Sequence, residues 1–427
     1  MNPTLAAIAL ALLLSPSALA AGGFVTEQAR PADAFVDSIG VNVHLSYLPE
    51  AYFQHYSDVI KPLILNLGVR NVRDGLNSNW TPQVFANMRD LAHTGIRFSF
   101  ITNPSQVSAQ RLEHILTDVI GASHIASVEG INEPDNGSPP GWQAVTLANQ
   151  KAVYDAVKSN PATKAIPVYG PSLTGTDGGT LPGIAQFMDA GNIHPYMGGR
   201  NPETNGWGND GYGSIAYALR AVAAPTSGGL PVAITECGLH NAVKTTNGFK
   251  YTPIDVSAKY IPRMFFTYFN DGIVRSYVYE LMDEGADAAN VEDNFGLVDF
   301  ENRPKPSYTA LRNLIALLKD PGPAMTRTGS LSYTLSGATT NVMHTLLEKR
   351  DGSFYLAIWL AVQDWDPDPK VYQTHPDQIV TLSLGRRFRR IDAAIPNDSA
   401  TWSPMLQSRE SVTLPVQDKV TIVRLTP

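Results

Sequence analysis

Residues 127–135 read Ser-Val-Glu-Gly-Ile-Asn-Glu-Pro-Asp, "SVEGINEPD". The stretch begins as a buried strand and finishes on an amide, a carboxylate and a proline. Pro134 has no N–H to give a sheet ladder, so the chain must turn there. Working outward, runs of the same kind recur at 38–44 (SIGVNVH), 69–73 (VRNVR), 97–102 (RFSFIT), 125–132 (IASVEGIN), 166–170 (IPVYG), 190–194 (AGNIH), 231–236 (PVAITE) and 273–280 (IVRSYVYE). Amphipathic windows lie between several of them. In 82–95, Phe85, Met88 and Leu91 recur at helical spacing; in 108–121, Leu112, Ile115, Leu116 and Val119 share a face. Eight strands alternating with helices across residues 36–320 predict an α/β fold closed as a (β/α)8 TIM barrel. No strand opens onto G-x-G-x-x-G, which disfavours an open doubly wound sheet.

Beyond 311–323 (LRNLIALLKDPGP) the pattern changes. Runs at 353–362, 378–384, 411–416 and 419–425 are strand-like, with no helical window between them, and predict a small antiparallel β-sandwich. Residues 22–35 are placed to add a strand to it. Residues 1–20 hold an apolar stretch, Leu5 to Leu14, followed by Ala18-Leu19-Ala20; this is too short for a membrane span and reads as a secretory signal. The expected organisation is therefore signal 1–20, catalytic barrel 21–320 and β-sandwich 321–427. The chain is expected to be secreted or periplasmic and bacterial, without membrane insertion, and monomeric. Its single cysteine, Cys237, can form no internal disulfide. A net charge of -7 argues against a nucleic-acid partner; the basic run 386–390 reads as solvated charge at a strand edge.

In a barrel of this type functional groups sit at the C-terminal ends of strands. The strand ends offer Asn42 and His44, Arg73 and Asp74, Asn132 and Glu133, His194 and Tyr196, Glu236, and Tyr279 and Glu280. Glu133 and Glu236, on the fourth and seventh strands, would face each other across the mouth. Paired carboxylates suit glycosidic cleavage, which needs a proton for the leaving oxygen and a group to meet the oxocarbenium-like centre. Glu280 is placed either on a sugar hydroxyl pair or against Arg275. Trp80, Trp142 and Trp207 fall in Gly-, Asn- or Pro-rich loops, as sugar platforms or loop anchors. Cys237 alternates away from Glu236 toward the helix layer. No Cys/His spacing suits zinc, and DWDPDP (364–369) lacks the Gly and terminal Glu of a calcium loop, so neither metal nor cofactor is expected.

NEP at the fourth strand, HPY (194–196) at the sixth and TECG (235–238) at the seventh resemble the retaining glycoside hydrolases of clan A. GVNVHLSY (40–47) and NFGLVDFENRPKPSYTALRNL (294–314) bring the resemblance nearest to glycoside hydrolase family 39 and cellulase-like bacterial members. The resemblance covers the whole barrel. It implies Glu133 as acid/base and Glu236 as nucleophile, with Asn132 on the sugar 2-hydroxyl. His194 and Tyr196 would tune the carboxylates, and Arg73 would hold Glu236 ionised. His44, Tyr279, Glu280, Trp142 and Trp207 complete the expected substrate-binding set. Clan members often present a Trp at the eighth strand where this chain has Tyr279 and Glu280. The expected function is endo-acting hydrolysis of a β-linked oligo- or polysaccharide; the alternatives are an exo-acting β-xylosidase or β-glucosidase and a catalytically silent carbohydrate-binding barrel.

Overall fold

Eight apolar runs become short parallel strands because both of their faces are covered. They are Ile39–Asn42, Asn71–Gly75, Arg97–Ile101, Ile125–Glu129, Val168–Leu173, Ala190–Ile193, Val232–Cys237 and Ser276–Val278. The computed structural model describes residues 23–137, 139–175, 181–405 and 409–427; the signal-like residues 1–20 lie outside them. The strands pair in chain order, and the eighth closes on the first through Ser276 and Ile39. Nearly every strand position is buried, the mark of a parallel sheet wrapped by helices.

The fourth strand ends earlier than its sequence suggests. Its regular ladder stops at Glu129, and only Asn132 makes one further parallel bridge, to Ser172. Gly130 explains the local path: a Cβ there would lie 2.2 Å from the Gln150 side chain and 3.0 Å from the Pro171 nitrogen. Strand and helix meet too closely for any side chain at that point.

The first predicted helix forms as Pro82–Ala92, with proline in its opening turn, where no N–H is missed. It buries Val84, Phe85, Met88 and Leu91. The second divides into Ala109–His114, capped by the Ser108 hydroxyl accepting from Arg111 N at 3.2 Å, and a π-helical continuation, Ile115–Ile120. Leu112, Ile115 and Leu116 are buried and Val119 partly so.

The C-terminal part folds as two facing sheets. Ser330–Gly337, Gln378–Leu384 and Ser411–Val416 form one; Arg390–Ala394, Thr421–Thr426, Phe354–Leu360 and Val342–Glu348 form most of the other. The N-terminal segment joins both. Val25–Gln28 pairs antiparallel with Ser330–Gly337, and Arg30–Pro31 pairs parallel with Val342–Glu348. Ser330–Gly337, Val342–Glu348 and Arg390–Ala394 escaped the sequence reading. In the first, Leu331, Tyr333 and Leu335 do alternate inward, but serines and a glycine between them dilute the signal.

The sandwich docks on the helix Ile254–Asn270. Phe266 stacks on Trp359 with ring centroids 5.5 Å apart. Arg263, wholly buried, pairs with Glu203 at 2.5 Å and with Asp364 at 3.3 Å, and donates to the Val362 carbonyl at 2.8 Å. Pro262 lies inside this helix and cannot donate to the carbonyl of Ala258 four residues back. Asn397 of the sandwich takes that place, donating to Ala258 O at 2.6 Å.

Candidate active site

A cavity of about 820 Å³ opens at the C-terminal ends of the barrel strands. At its floor stands Arg73 of the second strand, 1% exposed. Its Nε donates to Glu129 and its Nη1 to Glu236; Nη1 also reaches Asn42 Oδ1 at 3.1 Å, and Nη2 donates to Asn132 Oδ1 at 2.7 Å. One rigid guanidinium thus ties groups from the first, fourth and seventh strand ends into a single network.

Glu236 carries the consequence. Burial pushes its carboxyl up, but the His194 and Arg73 charges and the hydrogen bonds from Arg73 and Tyr196 outweigh it and hold the group below the ordinary carboxylate value. Tyr196 Oη donates to Glu236 Oε2 at 3.0 Å. Burial and the facing Glu236 push that phenol well up, so it stays a neutral donor.

Glu133 is presented differently. It sits at φ 44°, a left-handed conformation that costs a non-glycine residue roughly 1–3 kcal/mol and persists only where its surroundings hold it. Its N–H donates to Ser172 Oγ at 3.1 Å, Asn136 donates to Oε2 at 3.2 Å, and His194 Nδ1 lies 2.8 Å from Oε1. Oxygens of Glu133 and Glu236 and a ring nitrogen of His194 all fall within 4.8 Å of one another.

The other expected residues separate into two groups. Asn132, His44, Arg73, His194, Tyr196 and Tyr279 line the cavity with the two glutamates. Glu280 lies behind the wall, 0% exposed, accepting from Tyr52 Oη at 3.0 Å, with His44 Nε2 at 3.2 Å. Burial, reinforced by neighbouring carboxylates, keeps its carboxyl well above the usual range. Arg275 does not meet it but pairs with Asp37 at 2.9 Å. Trp142, 7% exposed, packs into the barrel core at the start of the helix Trp142–Ser159. Trp207 lies against Tyr212, with the Arg200 guanidinium 4.8 Å over its ring, and does not line the cavity; Trp80 does. Trp142 has core to join because Gly141, in the left-handed region, turns the chain into its helix.

Several neighbours were missed from sequence. Glu129, Asn192 and Thr235 form a polar layer under the site, and Phe249, Phe295 and Glu292 also line the cavity. Glu129 had a signal, an acid in the middle of an apolar strand. Glu292 sits in the long connection after the eighth strand with no motif around it. Among the described residues, two sets of carboxylates and histidine are close enough to share an ion: Glu133, His194 and Glu236, and His44, Glu280 and Glu284. The first is already joined through the His194 ring.

The sequence matches no protein-family model and no curated protein. Among solved structures, the chain is similar to a family 39 glycoside hydrolase from the gut symbiont Bacteroides cellulosilyticus WH2, at 19% identity and a TM-score of 0.62, covering 93% of this chain and 81% of that one. That likeness shows a shared fold, a barrel followed by a β-sandwich. Lower on the scale are a β-1,3-glucanosyltransferase of glycoside hydrolase family 17 from Rhizomucor miehei (18% identity, TM-score 0.46, 63% and 95% covered) and a GH5_18 protein from Streptomyces cattleya (15%, 0.46, 70% and 82%). No helix among the described residues is long and apolar enough to cross a membrane.

Proposed function

We propose that this chain is an exported retaining β-glycoside hydrolase that cleaves a β-linked polysaccharide internally. The observation that carries the reading is the approach of Glu133 and Glu236 oxygens to within 4.8 Å. Retaining enzymes hold their carboxyl groups roughly 5–5.5 Å apart, whereas inverting ones leave room for a water between them. The different settings of the two acids fit the division of labour. Glu236, held charged by His194 and Arg73, attacks the anomeric carbon. Glu133, beside His194, protonates the departing oxygen and then activates the water that releases the glycosyl-enzyme. Asn132, fixed by Arg73, is positioned for the sugar hydroxyl next to the reacting carbon. The family 39 likeness, and the motifs that point to the same family, agree with this chemistry.

Internal cleavage is supported by the breadth of the cavity. Its lining includes Trp80, Asn103, Gln106, Tyr212, Phe249 and Phe295. Rings spread along a cleft suit successive sugars, and remote contacts supply binding energy that is expressed in the transition state. The test is a screen of β-glucans, xylans, mannans and exopolysaccharides, following viscosity against reducing ends. Early loss of viscosity with oligosaccharide products supports the reading. Steady monosaccharide release at constant viscosity would replace it with exo action, and no release from any polymer or aryl glycoside would leave only a binding barrel.

A further inference from the structure

Thr235 precedes Glu236 in sequence and lies beneath His194. Its hydroxyl has three polar neighbours: Glu129 Oε2 at 2.7 Å, Asn192 Oδ1 at 3.0 Å and His194 Nε2 at 3.0 Å. A hydroxyl owns one proton. The Glu129 carboxylate, salt-bridged to Arg73, only accepts. The Asn192 oxygen is identified because the Nδ2 of the same amide donates to Glu129 Oε2 at 2.6 Å. The single Thr235 proton is shared between these two oxygens, so the hydroxyl has none for the ring and offers it a lone pair. Nε2 of His194 must carry hydrogen and donate.

The other face of the ring then has a fixed role. Nδ1 stands 2.8 Å from Glu133 Oε1 and 3.5 Å from Glu236 Oε2. Two bare acceptors do not rest 2.8 Å apart, so one proton occupies the contact with Glu133. We propose that Thr235 and Glu129 are positioning residues that commit His194 Nε2 as a donor, so that the proton held between Nδ1 and Glu133 is the one delivered to the leaving group. This rests on the reading of Glu133 as acid/base.

Charged groups surround the ring. Glu133 and Glu236 face Nδ1, Glu129 acts through Thr235, and Glu292 lines the same cavity. Arg73 stands behind Glu236 and Tyr196 beside it. In the first step the Glu236–carbon bond forms, the glycosidic C–O bond breaks, and the proton moves from Glu133 to the departing oxygen. Glu133 and Nδ1 are then two facing acceptors. In the second step a water oxygen bonds to the carbon, the Glu236 ester bond breaks, and the water's proton returns to the contact.

Two measurements test this. In ¹⁵N–¹H spectra of histidine-labelled wild-type protein, with His194 assigned from its loss in His194→Gln, Nε2 is expected to carry its proton throughout the pH range of the fold. A neutral ring protonated at Nδ1 alone would overturn the proposal. The second arm is the pH profile of kcat/KM on a phenyl β-glycoside, whose poor leaving group needs the acid. Thr235→Val removes the acceptor for Nε2–H and the clash that disfavours an Nδ1–H ring, so the basic limb should fall by roughly one pH unit, the worth of one hydrogen bond. Thr235→Ser should restore it. An unmoved limb in Thr235→Val, or equal movement in both variants, would also overturn it. A wild type with no turnover would break the glycosidase reading alone, since the ring spectra need no substrate.

Discussion

Arg73 and Arg263 are each almost wholly buried, at 1% and 0% exposure, and each is paired with two carboxylates. In both networks burial pushes a partner carboxyl up and nearby positive charge overrides it, His194 and Arg73 at Glu236 and Arg263 at Glu203, so that both lie below their ordinary values. The surroundings differ. Glu203 is enclosed by Trp359 Nε1 at 2.8 Å, Asn201 at 2.9 Å and Thr267 at 3.3 Å, between barrel and sandwich. Glu236 has the same kind of partner on one side and the open cavity on the other. A buried ion pair by itself therefore says little about function. What distinguishes the Arg73 network is that it leaves a charged oxygen where a substrate can arrive, opposite a second acid.

Changes at the two networks should separate chemistry from stability. The largest effect is expected for Glu236→Gln. Removing a covalent nucleophile should cut turnover by about 10⁵–10⁶-fold, while thermal unfolding by circular dichroism stays close to wild type. Azide should partly rescue Glu236→Gly, giving product of inverted configuration. Near-normal activity in Glu236→Gln would remove the distinction drawn above.

Glu133→Gln should cost about 10²–10⁴-fold on natural glycosidic bonds. It should slow the glycosylation step of activated aryl glycosides, which need little protonation, far less. Equal losses on both substrates in single-turnover kinetics would end the acid role.

At the seam the order reverses. Arg263→Ala strands Glu203 as a buried charge, while Asp364 keeps Lys259 at 3.7 Å, and should destabilise the fold by about 3–5 kcal/mol, read from denaturant midpoints, with kcat/KM within about two-fold at temperatures where it stays folded. A loss of catalysis without a loss of stability would mean that the two networks are not so different.

The smallest effect tests a third acidic region. Glu284 beside His44 is pushed up to about 7, chiefly by burial and then by Glu280. A carboxyl with a raised folded value favours the fold while protonated. That contribution is present below the unfolded value near 4.5 and is lost as pH rises through about 7. Glu284→Gln should accordingly add about 1–2 kcal/mol at pH 8 after allowance for screening and nothing at pH 4; equal effects at both would show that no ionisation is involved.

Much of this arrangement is legible in the chain. Strands buried on both faces announce themselves as continuous apolar runs, and the polar residues that end them mark the site, so Glu133, Glu236, Asn132, Arg73 and His194 meet where strand order alone would put them. Position along a strand is harder to read. Asn132 and Glu133 stand beyond the regular ladder, because Gly130 draws the chain against Gln150 and Pro134 ends the pairing. Loop residues carry less information still. Trp142 and Trp207 look alike in sequence to Trp80, yet only Trp80 reaches the cavity, since tertiary packing decides which way a loop indole turns. The Glu203 to Arg263 pair joins segments sixty residues apart through contacts that leave no periodic trace.

The central claim is that Glu133 and Glu236 act as a retaining pair. It is tested most directly by the anomeric configuration of the first-formed reducing end, followed by ¹H NMR during cleavage of whichever β-linked polymer of the panel is hydrolysed. On this account the reaction is a double displacement, and the β-anomer should appear first, with the α-anomer growing in only by mutarotation. An α-anomer formed first would contradict the account, because inversion uses two acids set roughly 6.5–9.5 Å apart with a water between one of them and the sugar.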